Sequence, residues 1–196
     1  MTGLQSEDLD ALFGTARTPT AAQVEDWESK ATPQSRMVVT PTVDRRLSDV
    51  LSNLPSGPEL LRYALRSAPI LWVVDQSGTL RVAFEEYVDA LTGEPYGIRQ
   101  KDFDAVAELK VGRRLTRLGH PALLGGRPGR IGGELKWVDD KVVEIGGEPY
   151  TGWTVSNASG RFGFHPDRTP ETLDNVVSLL AGLGISALPL YIVPRR

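Results

Sequence analysis

Residues 119–166 read GHPALLGGRPGRIGGELKWVDDKVVEIGGEPYTGWTVSNASGRFGFHP, and this stretch decides the fold. It holds eleven of the 20 glycines of the chain, both histidines and two of the four tryptophans. Glu134 to Trp137 and Val142 to Ile145 flank the polar tetrapeptide Val138-Asp139-Asp140-Lys141, which predicts a hairpin. Trp153 to Asn157 predicts a further strand, closed by the turn residues Asn157-Ala158-Ser159-Gly160. Glycines at this density are tight turns and strand entries, so the stretch points to a sheet built from hairpins.

Downstream, Thr169 followed by Pro170 and Glu171 opens a helix. Leu173, Val176, Val177, Leu180 and Leu183 recur on one face of it. Each contributes roughly 1.5–3 kcal/mol if fully buried. Leu188 to Val193 predicts a last, buried strand. Upstream, Ile70 to Val74 is apolar throughout and reads as a central strand. Asp75-Gln76-Ser77-Gly78 is a turn, and Leu80, Val82 and Phe84 alternate as its hairpin partner. Met37 to Thr40 predicts a first strand. Helices are expected after Asp44, after Ser56-Gly57-Pro58-Glu59 (a capping-box pattern) and over Asp102 to Leu109. Glu85 to Lys101 reads as a polar loop. Residues 1–35 are polar, with two short helical patterns around Leu9, Leu12 and Phe13 and around Val24 and Trp27. They read as a loosely ordered N-terminal arm on a single domain spanning 36–196. The fold class is therefore α+β, a mainly antiparallel sheet with helices packed on one face.

Composition narrows the function classes. The 196 residues carry a net charge of -3, which argues against a general nucleic-acid or anionic-membrane binder. There is no cysteine, so disulfides, thiolate metal sites and cysteine nucleophiles are excluded. No apolar run reaches membrane-spanning length, and the acidic N-terminus lacks the pattern of a secretory signal. A soluble, cytoplasmic protein is expected, although leaderless export leaves no readable trace. The abundance of Arg over Lys, with much Ala, Gly and Pro, suggests a bacterial source.

The candidate chemistry lies in the opening stretch. His120, Ser159 and Glu134 are candidate catalytic residues. Arg127, Arg130 and Arg161 are candidate ligand-binding residues, since guanidinium groups among glycines suit phosphate. Each has a plainer reading. The spacing fits neither GxGxxG nor a P-loop, Ser159 lacks a nucleophile elbow, and the histidines lack HxH or HxxxH spacing. No metal and no cofactor is expected. Trp137 and Trp153 form either an aromatic platform or sheet core, and Phe162 and Phe164 alternate as core residues.

The order of these motifs carries a resemblance. His120, then Leu123-Leu124-Gly125-Gly126, then Gly133-Glu134-Leu135, then Ser159-Gly160-Arg161-Phe162 with Pro166 before the helix resembles the C-terminal domain of plant IQ-motif calmodulin-binding proteins. Uncharacterised bacterial and fungal domains are similar to it. Pro121, Ala122 and Arg161 depart from the pattern, and the IQ motif itself is missing. The resemblance implies a compact domain without an established catalytic mechanism, with the loop His and the turn Ser at one end of the sheet. Similar bacterial domains look like parts of toxin–antitoxin or effector systems. Three functions are therefore expected as alternatives. One is a non-enzymatic protein-binding or regulatory module, such as an immunity or accessory protein. The second is an effector enzyme acting on a nucleotide, of ADP-ribosyltransferase or NAD hydrolase type. The third is a structural component of a larger assembly.

Overall fold

The computed structural model describes residues 5–20, 24–39, 49, 51, 66–99, 115–139, 144–145 and 147–193. In chain order the elements are α1 (Ser6–Phe13), α2 (Asp26–Lys30), β1 (Met37–Val39), β2 (Ile70–Asp75), β3 (Leu80–Phe84), β4 (Glu86–Asp89), β5 (Pro95–Ile98), β6 (Leu115–Arg117), α3 (His120–Leu124), β7 (Gly129–Val138), β8 (Glu144–Ile145), β9 (Glu148–Pro149), β10 (Gly152–Ser156), α4 (Pro170–Gly182) and β11 (Ala187–Leu190). The main sheet has the order β1-β3-β2-β7-β10-β11. The all-apolar β2 is buried along its whole length, as a strand covered on both faces must be. It pairs with β3 through the Asp75–Gly78 turn, with Val74 opposite Leu80. Every pairing in this sheet is antiparallel except that of β10 with β11, whose parallel return runs through α4. A smaller sheet has the order β5-β4-β6.

Alternation along β2 divides the core. Ile70, Trp72 and Val74 point to one face, with Ile131, Leu135, Trp153 and Val155. There α1 supplies Leu9 and Phe13, and α4 supplies Leu173, Val176 and Leu180. Leu71 and Val73 point to the other face, where Ala83, Leu123, Leu124 and Phe162 cover them. The long helix lies on one side of an α+β sheet, and the short α3 with the turn after β10 closes the opposite side.

The N-terminal residues depart from the loose arm that their polarity suggests. Leu9 and Phe13 belong to the main core, and Arg17 bridges to Gly129 through two backbone hydrogen bonds. Two buried arginines reach out from the sheet side. Arg130 pairs with Asp10 and donates to the Gly14 carbonyl at 2.9 Å. Arg168 donates to the Thr15 carbonyl at 2.7 Å and pairs with Asp167, whose carboxylate accepts the Thr15 N–H. Polar composition here reflects docking through hydrogen bonds, which a count of apolar residues does not register.

Other expectations also change. Glu134 to Trp137 pairs not with Glu144–Ile145 but with β10, Trp137 opposite Trp153. The two indoles meet edge to face at 5.4 Å as sheet core. Exposed β8 pairs instead with β9. The expected loop from Glu85 contains β4 and β5. Its Glu86 is buried and accepts the Gln34 N–H, the Ser35 N–H and the Ser35 hydroxyl, so a polar-looking strand still has an inner side. The last strand is an outer one, partly exposed, with Leu190 open to solvent. Phe162 is buried but Phe164 is exposed, because residues 160–166 turn rather than extend. The helices expected after Asp44 and Ser56 and over Asp102 to Leu109 fall outside the described residues, apart from helical positions at 49 and 51.

Candidate functional site

Close backbone packing brings two loops to one end of the sheet. At Gly133 an added Cβ would fall 1.7 Å from the Ser156 carbonyl oxygen, and at Gly163 it would fall 1.9 Å from that of Asn157. Only glycine allows these approaches, so the turn after β10 folds back over β7. Facing it, α3 starts at His120, buried between the two. The imidazole Nε2–H donates to the Gly133 carbonyl at 2.9 Å.

Between these loops lies a cleft of about 370 Å³, lined by Glu25, Trp27, Glu28, Glu85, Thr116, Arg117, Gly119, His120 and residues 158–161. His120 and Ser159 thus line one cleft. Its keystone is Glu28, a residue that its sequence context does not distinguish from a solvated acid. Glu28 is 2% exposed, and its carboxylate accepts the Gly119 N–H at 3.0 Å, the Glu25 N–H at 3.1 Å and an Arg161 N–H at 3.1 Å. One acid therefore ties α2 to both loops. Sequence offered a single signal for it, the Trp27-Glu28 pair inside a polar segment: the Trp27 ring packs against Ala31, Val88, Leu118 and Ala122 and brings its neighbour inward.

The candidate catalytic groups are engaged in holding these loops. Burial pushes His120 down to about 4, with the Arg161 charge acting in the same direction, against the Gly133 hydrogen bond and the Glu134 charge. The imidazole is neutral at physiological pH and a weak base. Ser159 Oγ accepts the Phe162 N–H at 3.3 Å, closing its own turn. The Glu134 carboxylate pairs with Lys136. No Ser–His hydrogen bond forms among the described residues.

The three candidate arginines do not converge. Arg130 is buried against α1, and its Nε–H donates to the Gln76 carbonyl at 3.2 Å. Arg127 lies on the α3–β7 connection and donates to the Leu124 carbonyl at 2.9 Å. Arg161 alone lines the cleft, paired with Glu28. The second histidine, His165, is hydrogen-bonded to Asp167 at 2.6 Å, a different neighbourhood. Among the described residues no group of three His, Asp or Glu side chains stands ready for a metal ion. No described helix is long and apolar enough to cross a membrane. No protein-family model, no curated protein and no solved structure matches this chain.

Proposed function

We propose that the chain is a non-enzymatic protein-binding module, an immunity or accessory protein of a bacterial toxin or effector system acting in the cytoplasm. What supports this reading is the use to which the candidate catalytic groups are put. His120 Nε2 and Ser159 Oγ are tied to backbone groups and Glu134 to Lys136, and none of the three is hydrogen-bonded to another as a nucleophile to its base. The resemblance to a domain type without an established catalytic mechanism points the same way.

A contact surface suits the reading. Asn157 Nδ2 donates to the carbonyls of Gly163 and Ile192, and its Oδ1 accepts the Ile192 N–H at 2.7 Å. This ties the backbone of Gly163, which precedes exposed Phe164, to that of exposed Ile192, which lies between exposed Leu190 and Val193 in the chain. Adjacent apolar side chains in solvent mark interaction surfaces.

The test is affinity capture from the native host with three baits: wild type, Ser159→Ala and the double variant Phe164→Asp/Ile192→Asp. The first two should retain the same protein partner at equal yield, and the third should lose it. In parallel the purified protein is incubated with NAD, ATP and GTP. Turnover of any of them, or stabilisation approaching the about 2.7 kcal/mol expected at 100 Kd, sinks the reading in favour of the nucleotide-acting effector.

A further inference from the structure

A cavity of about 360 Å³ opens beside the Trp137–Trp153 pair, where the turn into β10 meets the connection from α4 to β11. Leu51, Trp153 and Ile185 are buried at it, Trp137 and Tyr150 are half-buried in its wall, and Thr151, Gly184 and Ser186 are exposed around it. Among the described residues no charged side chain lines it. Each of its aromatic rings is fixed by a contact of its own. The Trp153 indole N–H donates to the Leu51 carbonyl at 3.0 Å. The Tyr150 hydroxyl donates to the Trp153 carbonyl at 2.8 Å. Trp137 meets Trp153 edge to face. Gly152 belongs to the same arrangement, since an added Cβ would fall 2.5 Å from the Tyr150 hydroxyl oxygen. With no side chain there, the phenol can lie across the strand. Aromatic walls already held in place lose little freedom when a ligand enters.

We propose that this cavity binds a small neutral molecule by an aromatic ring, packed against Trp137, Trp153 and Tyr150. The lining sets the class of ligand. An ion would leave water for a cavity whose described lining offers no opposite charge. A sugar would bring several hydroxyls to a lining whose remaining polar side chains are those of Thr151 and Ser186, the Tyr150 hydroxyl being engaged with the Trp153 carbonyl. An aromatic ring asks only for apolar contact and for the offset or edge-on geometry that the two indoles already adopt with each other. The volume is that of a small-molecule site. The cavity lies at the Gly152 end of β10, whereas the His120 cleft lies beyond the Ser156 end. It shares no lining residue with that cleft and includes none of Phe164, Leu190, Ile192 and Val193, so it can fail without the proposed protein-binding role failing, and the reverse.

The experiment follows the backbone N–H groups of Gly152 and Gly184 by 1H–15N NMR. Indole, tetramethylammonium and glucose are titrated separately as the neutral aromatic, cationic and sugar probes. Saturable movement of both peaks with indole is expected, with a Kd of about 1 mM or below. Ser186→Phe places a ring at an exposed position of the lining and should abolish the response while the rest of the spectrum stays folded. Tyr150→Leu removes one aromatic wall and should weaken binding by about threefold to tenfold. The double variant Phe164→Asp/Ile192→Asp should bind indole as wild type does. Peaks that do not move saturably with indole overturn the proposal. So does a response to tetramethylammonium or glucose as tight as that to indole, or indole binding that is undiminished in Ser186→Phe.

Discussion

The two short helices of the first 35 residues dock by opposite means. Helix α1 inserts Leu9 and Phe13 into the main core and receives two arginines from the body of the protein. Helix α2 inserts a carboxylate, Glu28, and receives a guanidinium and backbone N–H groups in return. The Asn175 side chain adds a hydrogen bond to the Leu12 carbonyl, so α4 also closes the C-terminal end of α1. One attachment is mostly apolar burial with ionic trim, and the other is mostly ionic with one partly buried tryptophan beside it. The difference teaches that a polar segment need not be a loose one. Both ends carry buried charge: at the α1 end the buried groups are arginines, at the α2 end a carboxylate.

Removing apolar burial at α1 should have the largest effect. Phe13→Ala is expected to cost about 3–5 kcal/mol in urea unfolding, as for other buried aromatic truncations. A cost below about 1 kcal/mol would mean that α1 is not part of the cooperative core, and the comparison would collapse. The next effect is on acid stability. His120 has its folded value at about 4, below the ordinary 6.5, because burial disfavours its charged form. The unfolded chain therefore takes up the proton first. Stability is fully present above about pH 6.5 and is lost as the pH falls towards 4, by roughly 3 kcal/mol in total. Asp167 behaves differently. Burial raises it, but the Thr15 N–H, Arg168 and His165 outweigh that and hold it at about 2. Its contribution is present above the ordinary 3.8 and is lost only as the pH falls from there towards 2. The contact of His120 with β7 should thus weaken at mild acidity and the Asp167 contact with Thr15 only at strong acidity. Urea midpoints across pH 2 to 7 check this, and His120→Gln, which keeps a donor without titrating, should flatten the upper window alone.

What the sequence showed and concealed follows the same division. The apolar run Ile70 to Val74, the Asp75–Gly78 turn and the α4 stripe at Leu173, Val176 and Leu180 were legible because burial there is apolar and periodic. The partner of β7 was not legible: adjacency in the chain favours residues 142–145, whereas the Trp137–Trp153 contact lies across a longer connection. The candidate site was half legible. His120 and Ser159 do line one cleft, yet Glu28, Thr116 and Arg117, from distant segments, complete it. A buried Glu next to Trp27, like the buried Glu86, looks in sequence like any solvated acid. Only the long-range partners distinguish them, and those are set by topology.

The ionic attachment of α2 gives the third effect. Glu28→Gln keeps an acceptor for the Gly119 N–H but removes the charge opposite Arg161, whose side chain is 31% exposed. Water can re-solvate that guanidinium in part, so the cost should be about 1–2 kcal/mol, below the 3–5 kcal/mol of a fully buried broken pair. A cycle with Arg161→Ala should recover most of it as coupling between the two residues.

The smallest effect tests whether the two attachments are separate at all. Asp10 is 40% exposed, and Arg130 keeps the carbonyls of Gly14 and Gln76 if Asp10 is changed. Asp10→Asn should therefore cost about 1 kcal/mol, because the buried Arg130 loses its carboxylate partner but keeps both carbonyl acceptors. Helices α1 and α2 pack against different clusters of the core. The double variant Asp10→Asn/Glu28→Gln should then lose the sum of the single losses to within about 0.5 kcal/mol in urea unfolding. A larger combined loss would mean that the N-terminal segment docks as one unit, so that weakening either attachment loosens both. An additive loss makes α2 an independently removable cover on the His120 cleft. In that case Glu28→Gln alters access to the cleft while the α1 end of the core keeps its stability.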